Sequence, residues 1–158
     1  MIANKYDLLT KISEGSFGVV FKAQNRRTKE MVAIKFENKS ELTKSLKHEA
    51  KIYQYLGKME GFLQLKMFGS FADKNYLVLE LLGESLYDVI NFYKTLELKT
   101  VLVLGIQIIQ RINSIHDKLL LHRDIKTSNF VFDKHTNKLY LIDFGGIDDG
   151  DKFGEQFS

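Results

Sequence analysis

Between Tyr6 and Leu82 most apolar residues fall in short strand-like runs, and after Gly83 they recur at helical spacing. Side chains alternate faces along a strand and return to one face every 3.6 residues along a helix. This change of period predicts an α+β chain in which a sheet is followed by helices. Val19, Phe21 and Ala23 alternate with Val20 and Lys22, and Met31 to Phe36 is a second run rich in β-formers, so the polar turn Asn25 to Lys29 closes a hairpin. Tyr6 to Ile12, Leu65 to Phe71 and Tyr76 to Leu82 complete a five-stranded sheet, the last two around the turn Ala72 to Asn75. Leu42, Leu46, Ala50, Tyr53 and Leu56 share one helical face, predicting a helix over 41–56 with Ser40 as N-cap and Gly57 as its stop. A short helix near Ser85 to Tyr93 and a long one from Leu98 to Ile115 follow. In the long one 10 of 18 residues are apolar, so burial is expected around most of its circumference. Two short apolar runs, Phe130 to Phe132 and Leu139 to Ile142, flank the turn Asp133 to Lys138, and a polar tail runs from Gly145 to Ser158.

Length and composition narrow the functional classes. A chain of 158 residues holds one ordinary domain or part of a two-lobed one. Residues 1–79 carry 14 basic and 8 acidic side chains (+6) and the remainder 9 and 12 (−3), which sum to the net charge of +3. The asymmetry suits an anionic ligand near the first part and is too mild for nucleic acid. Without cysteine there is no disulfide framework, thiolate metal site or cysteine nucleophile, and the cytoplasm or nucleus is the expected compartment. The N-terminus has no long apolar stretch of signal-peptide type. The most apolar run, Val101 to Ile109, falls short of the roughly 20 residues a bilayer requires, so no membrane association is expected. The chain also contains no proline, an absence without a functional explanation.

Several residues have a chemical bearing. Glu49 lies between Leu46 and Tyr53, in the middle of the apolar stripe of its helix, where a carboxylate needs a buried partner. Lys35, within the run Val32 to Phe36, is the natural cation, and the pair would aim its ammonium at a ligand phosphate. A snorkelling lysine beside a tolerated glutamate is the other reading, and both stay open on this pair alone. The segment Ile12-Ser13-Glu14-Gly15-Ser16-Phe17-Gly18 lies between two strands, where glycines let backbone N–H groups approach phosphates. Alone it is equally a glycine-containing hairpin turn. The specific signal is His122-Arg123-Asp124-Ile125-Lys126-Thr127-Ser128-Asn129, followed by Asp143-Phe144-Gly145. Five fixed letters at about 1 in 20 each arise by chance with a probability of order 10⁻⁴ or below over this length. His48, His116 and His135 are isolated and form no metal set.

These motifs, with Gly15 to Val20, Lys35 and Glu49 before them in order, resemble the eukaryotic protein kinases. More narrowly, His48-Glu49-Ala50-Lys51-Ile52-Tyr53, Leu81-Leu82-Gly83-Glu84-Ser85-Leu86, Lys99-Thr100-Val101-Leu102 and Asn129-Phe130 resemble the casein kinase I family over nearly the whole chain. The resemblance implies a protein-kinase-like fold: an N-lobe at 1–79 with five strands and one helix, a hinge at 80–84 and the start of a helical C-lobe at 85–158. It implies a serine/threonine kinase that uses ATP and Mg²⁺ and acts on protein substrates bearing Ser or Thr. By position, Asp124 would accept the proton of the substrate hydroxyl or orient that hydroxyl and Lys126 would steady the phosphoryl group, while Asn129 and Asp143 would hold Mg²⁺. Lys35, locked by Glu49, would bind phosphates under Gly15, Ser16, Phe17 and Gly18. Val20, Ala33 and Val131 would sandwich adenine, with Ile12 in the nucleotide-contacting set, Leu79 as gatekeeper, and Glu80 and Leu82 bonding the adenine edge through their backbone. His122 would pack under the loop, and Arg123 would be available to an anion of the activation segment. Ser13 stands where the family has glycine, Thr127 where it has proline, and Gly146 where it has leucine. The family's domain continues for well over a hundred residues past this point. The expectation is therefore a truncated kinase domain, with a noncatalytic nucleotide-binding or partner-binding module as the alternative and self-association through the uncovered helix 98–115.

Overall fold

A computed structural model of the chain describes residues 5–15, 18–39 and 45–150. It divides into two compact units, residues 1–57 with 64–81, and residues 58–63 with 82–158.

The first unit is an antiparallel sheet with one helix. Its strands are β1 (Tyr6–Gly15), β2 (Gly18–Asn25), β3 (Met31–Asn38), β4 (Leu65–Phe71) and β5 (Lys74–Glu80), in the order β1-β2-β3-β5-β4. The β2–β3 hairpin closes as expected. Asn25 accepts at Oδ1 from the N–H groups of Arg27 and Thr28, an Asx turn, and Lys29 takes a left-handed φ of 60°. The second hairpin is tighter than its sequence suggests. Phe71 pairs with Lys74 across Ala72 and Asp73, so β5 begins at Lys74 and ends at Glu80 rather than spanning Tyr76 to Leu82. On one sheet face Ala23, Val32, Ile34, Tyr76 and Val78 join Tyr6 in a buried cluster, with Phe36 and Met67 packed against it. Val20, Ala33, Lys35, Leu77 and Leu79 share the opposite face, because Lys35 pairs with Val20 and Leu77 while Ala33 pairs with Leu79.

The helix α1 (Ser45–Leu56) buries Leu46, Ala50, Ile52, Tyr53 and Leu56. Ser40, the expected cap, lies outside the described residues. A first-turn donor is satisfied from elsewhere, since the Leu46 N–H donates to Glu37 Oε2 of β3 at 3.1 Å. Gly57 ends the helix with φ 58°, as its position predicts.

The second unit holds α2 (Leu86–Tyr93), α3 (Leu98–His116) and the hairpin β6 (Phe130–Phe132) and β7 (Leu139–Leu141). Ser85 and Asp88 form a reciprocal capping box at the start of α2. Residues 83–85 run beside β6, where the Gly83 N–H donates to Phe132 O at 2.7 Å and the Phe132 N–H to Glu84 O at 2.9 Å. A β-carbon at Gly83 would stand 2.9 Å from Phe132 O, so this approach requires glycine. Much of the apolar surface of α3 is uncovered, as expected for helix 98–115 and unlike the burial its periodicity alone predicts. Leu104, Arg111 and Ile115 are buried, whereas Leu98 is 73% and Ile109 67% exposed, and Val101, Leu102, Val103 and Ile106 are exposed with them. Among the described elements the long helix packs chiefly against β7. Nor is the segment after Phe144 a simple polar tail, because Leu121 and Asp148 form an antiparallel bridge. Among the described residues no helix is long and apolar enough to cross a membrane.

Candidate active site

In the first unit the buried carboxylate finds its cation. Lys35 Nζ lies 2.7 Å from Glu49 Oε2, with side chains only 10% and 1% exposed. Of the two readings open for this pair, the structure selects the buried ion pair. Val20, Ala33 and Leu79 share the face of Lys35, so four of the nucleotide-contacting candidates are assembled on one sheet surface. Gly15 pairs with Gly18 at the end of the first hairpin, while Ser16 and Phe17 lie outside the described residues. Gly18 has a structural demand of its own. At φ 114° a β-carbon there would stand 2.0 Å from Phe36 O. Ile12 falls in a register irregularity between Lys11 and Ser13 and is exposed. Glu80 ends β5, and its side chain lies 3.9 Å from Lys66 Nζ.

In the second unit the segment 122–129 wraps around Asp124. Lys126 Nζ is 2.6 Å from Asp124 Oδ2. Asn129 Nδ2 donates to the same oxygen at 3.1 Å and to Asp124 O at 2.8 Å. The Lys126 hydrogen bond and, behind it, that of Asn129 hold the Asp124 carboxyl below its ordinary value of 3.8. Asp124 is therefore an ionised acceptor near neutral pH, suited to receiving and orienting a hydroxyl.

His122 is buried beneath this loop. Its Nδ1 accepts from the Asp124 N–H at 3.3 Å, leaving Nε2 as the donor to Ile142 O at 3.0 Å. Burial lowers its pKa from 6.5, against the opposing pull of the Ile142 carbonyl and the nearby carboxylates. Its ring lies 5.3 Å from that of Phe144, which is fully buried and 6.2 Å from Phe62.

The β6–β7 hairpin brings Asn129 beside Asp143. Phe130 pairs with Leu141, and one step further the Ile142 N–H donates to Asn129 O at 3.0 Å, so Asp143 follows at the same open end. Asp143 has a left-handed backbone with φ 67°, and a short 3-10 turn over Phe144–Gly146 carries the chain onward. Because Asn129 uses Nδ2 for both bonds to Asp124, its amide oxygen is left outside them. An amide oxygen and a carboxylate are hard donors of the kind Mg²⁺ takes, usually with waters and phosphates completing the shell. Among the described residues there is no cluster of three or more His, Asp or Glu side chains for an all-protein metal cage, and a phosphate-completed site needs none. Val131, the remaining adenine candidate, is buried in β6, and Leu82 is half-buried.

Residues 6–151 match the protein kinase domain family. The chain belongs to the protein kinase family. One site feature of this kinase domain escaped the sequence reading. Arg111, deep in α3, donates from Nε to Leu139 O at 3.1 Å and lies 3.6 Å from Glu60, beside Gly61, where a β-carbon would overlap its guanidinium. It is a charge inside an apolar stripe, the same signal that exposed Glu49. Arg123, expected to be available to an anion of the activation segment, lies 3.5 Å from Asp148 Oδ2 and also donates to Gly146 O at 2.7 Å and Ile147 O at 3.4 Å.

Proposed function

We propose that this protein kinase is a serine/threonine kinase of casein kinase I type that transfers the ATP γ-phosphoryl group to protein hydroxyls with Mg²⁺. The observation that carries the catalytic reading is the ionised Asp124 carboxylate held by Lys126 and Asn129. The casein kinase I assignment and the serine/threonine preference are supported by the resemblance around Glu49, Gly83 and Asn129.

In this reading Asp124 accepts the hydrogen bond of the substrate hydroxyl and turns its oxygen toward the γ-phosphorus. That oxygen forms the new P–O bond as the bond to the leaving ADP oxygen breaks, and its proton passes to the Asp124 carboxylate. Lys126 steadies the transferred group, Lys35 binds phosphate oxygens, and Asn129 and Asp143 hold Mg²⁺, which supplies charge neutralisation when bound. Phosphoryl transfer depends mostly on positioning and charge, which is the equipment these side chains offer. The absence of cysteine supports a cytoplasmic or nuclear setting.

A noncatalytic nucleotide-binding module is the second reading, favoured by the uncovered apolar face of α3. Titration with a fluorescent ATP analogue, with and without Mg²⁺, and transfer of labelled phosphate to a Ser/Thr peptide separate the two. Mg²⁺-dependent binding with transfer supports the kinase, and binding without transfer supports the module. Binding indifferent to Mg²⁺, or unaltered in Lys35→Met and Asp143→Ala, would remove the assigned site.

A further inference from the structure

Among the described residues the three-residue strand β7 pairs with β6 alone, yet Leu139 and Leu141 are fully buried. Buried main-chain groups on its second edge need partners, and a lone two-stranded hairpin is marginally stable. Side chains of α3 supply them at Leu139. Its N–H donates to Gln107 Oε1 at 2.9 Å, and Arg111 Nε donates to its carbonyl at 3.1 Å. Gln107 and Arg111 stand one turn apart, so a single face of the helix offers an acceptor and a donor to one residue, as a neighbouring strand would. Arg111 is held in turn, since Glu60 Oε1 lies 3.6 Å from its Nη2 and 2.7 Å from Lys138 Nζ. Further along the same edge the Leu141 N–H donates to Gly61 O at 3.0 Å. Two residues later comes Asp143.

We propose that Gln107 and Arg111 are positioning residues: standing in for a third strand, they hold β7 in place and so set the Asp143 carboxylate for the nucleotide's divalent cation. The inference rests on the reading of Asp143 as a metal ligand. Asn129 lies at the head of β6 and Asp143 just past the end of β7, so any slip or tilt of β7 moves one oxygen donor against the other. Gln107 is the decisive member, because its amide is uncharged and its role is confined to accepting the Leu139 N–H.

The test uses the whole chain and two readouts. Amide hydrogen exchange by NMR is followed at Leu139 and Leu141, with Ile115 as a buried reference in α3, and Mg²⁺ is titrated against a fluorescent ATP analogue. In Gln107→Leu, which keeps the bulk but removes the acceptor, exchange at the two strand amides accelerates about threefold or more, the scale of one net hydrogen bond, while Ile115 is unchanged. Half-maximal analogue binding then needs about 3- to 10-fold more Mg²⁺, less than the loss of a group bonded directly to a metal ligand, and affinity without Mg²⁺ stays the same. Gln107→Glu, which keeps an acceptor oxygen, stays within about twofold of the parent. Arg111→Lys, which keeps the charge but not the Nε geometry, shifts the midpoint in the same direction as Gln107→Leu and carries the comparison should that variant fail to fold. Unchanged exchange at Leu139, equal acceleration at Ile115, or Gln107→Glu behaving like Gln107→Leu would each overturn the proposal. A Mg²⁺ midpoint that Asp143→Ala raises and Gln107→Leu does not would overturn the positioning role while leaving Asp143 as a ligand. If the parent itself binds the analogue without regard to Mg²⁺, the metal-ligand reading of Asp143 fails and the positioning role with it, while the exchange data still decide whether the two side chains hold β7.

Discussion

Lys35 of β3 and Glu49 of α1 meet at 2.7 Å with almost no solvent contact, so the helix is joined to the sheet by a charge pair inside an apolar interface. Two charges taken out of water are costly, and their attraction repays that cost only while both are present.

Removing one partner should therefore be worse than removing both. Glu49→Ala is expected to lower the unfolding free energy by about 3 to 5 kcal/mol, the scale for breaking a buried ion pair by removing one member. The double variant Lys35→Met with Glu49→Leu should regain most of that loss. Urea unfolding of the variants provides the check, and equal losses in both would contradict the expectation.

Asp124→Asn keeps the shape of the loop but removes the charge that faces Lys126 at 2.6 Å. Phosphoryl transfer should fall by about 10²-fold or more while affinity for the ATP analogue changes little. Because hydrogen bonding holds the Asp124 carboxyl below 3.8, the acid limb due to this group should lie below pH 4. A transfer rate that already declines between pH 6 and pH 5 in the parent, and no longer declines in Asp124→Asn, would contradict the lowered value.

His122 makes stability depend on pH in the opposite direction from a salt-bridged histidine. Its pKa is depressed in the fold, so the unfolded chain takes up the proton first as pH falls through about 6.5. The stabilisation is complete above that value and declines as pH falls toward the folded pKa. Denaturant midpoints should drop between pH 7 and pH 5, and His122→Gln should flatten that part of the curve. A midpoint that rises on acidification would mean the imidazole is charged in the fold.

Two glycines should answer alanine with opposite signs. At Gly61, with φ 83°, a β-carbon would stand 1.8 Å from Arg111 Nε, displacing the bond to Leu139 O as well as straining the backbone. A loss of about 2 kcal/mol or more is expected. Gly105 lies inside α3 with nothing within 4 Å of its β-carbon position, so alanine there should add about 0.5 to 1 kcal/mol. Thermal unfolding of the two variants reads both signs.

Local pattern made much of this fold legible. Leu65–Phe71 and Phe130–Phe132 lie where alternation and flanking polar turns put them. The start of β5 was hidden because Lys74 and Asn75 are polar residues at the solvent end of a tight hairpin. Glu49 stood out as a carboxylate in an apolar stripe, whereas the Glu37 contact to Leu46 joins residues nine positions apart in different elements and leaves no local trace. The exposed face of α3 was expected from the family resemblance and not from its pattern, since helical periodicity reports which side chains could be buried and not whether a neighbour covers them. Asp148 lay in a stretch with the composition of a tail, and only its bridge to Leu121 shows that it belongs to the loop.

The β6–β7 hairpin separates chain length from chemistry. Asn129 and Asp143 stand at its open end, while the connection 133–138 lies at the closed one, where Asp133 organises the turn by accepting from the His135 N–H and the Thr136 hydroxyl. Because strand pairing fixes the open end, residues inserted at the tip add only loop-closure entropy, which grows slowly with length. The tip is thus an attachment point for a reporter or an added peptide, and the place where lengthened versions of this chain can diverge without moving either oxygen donor.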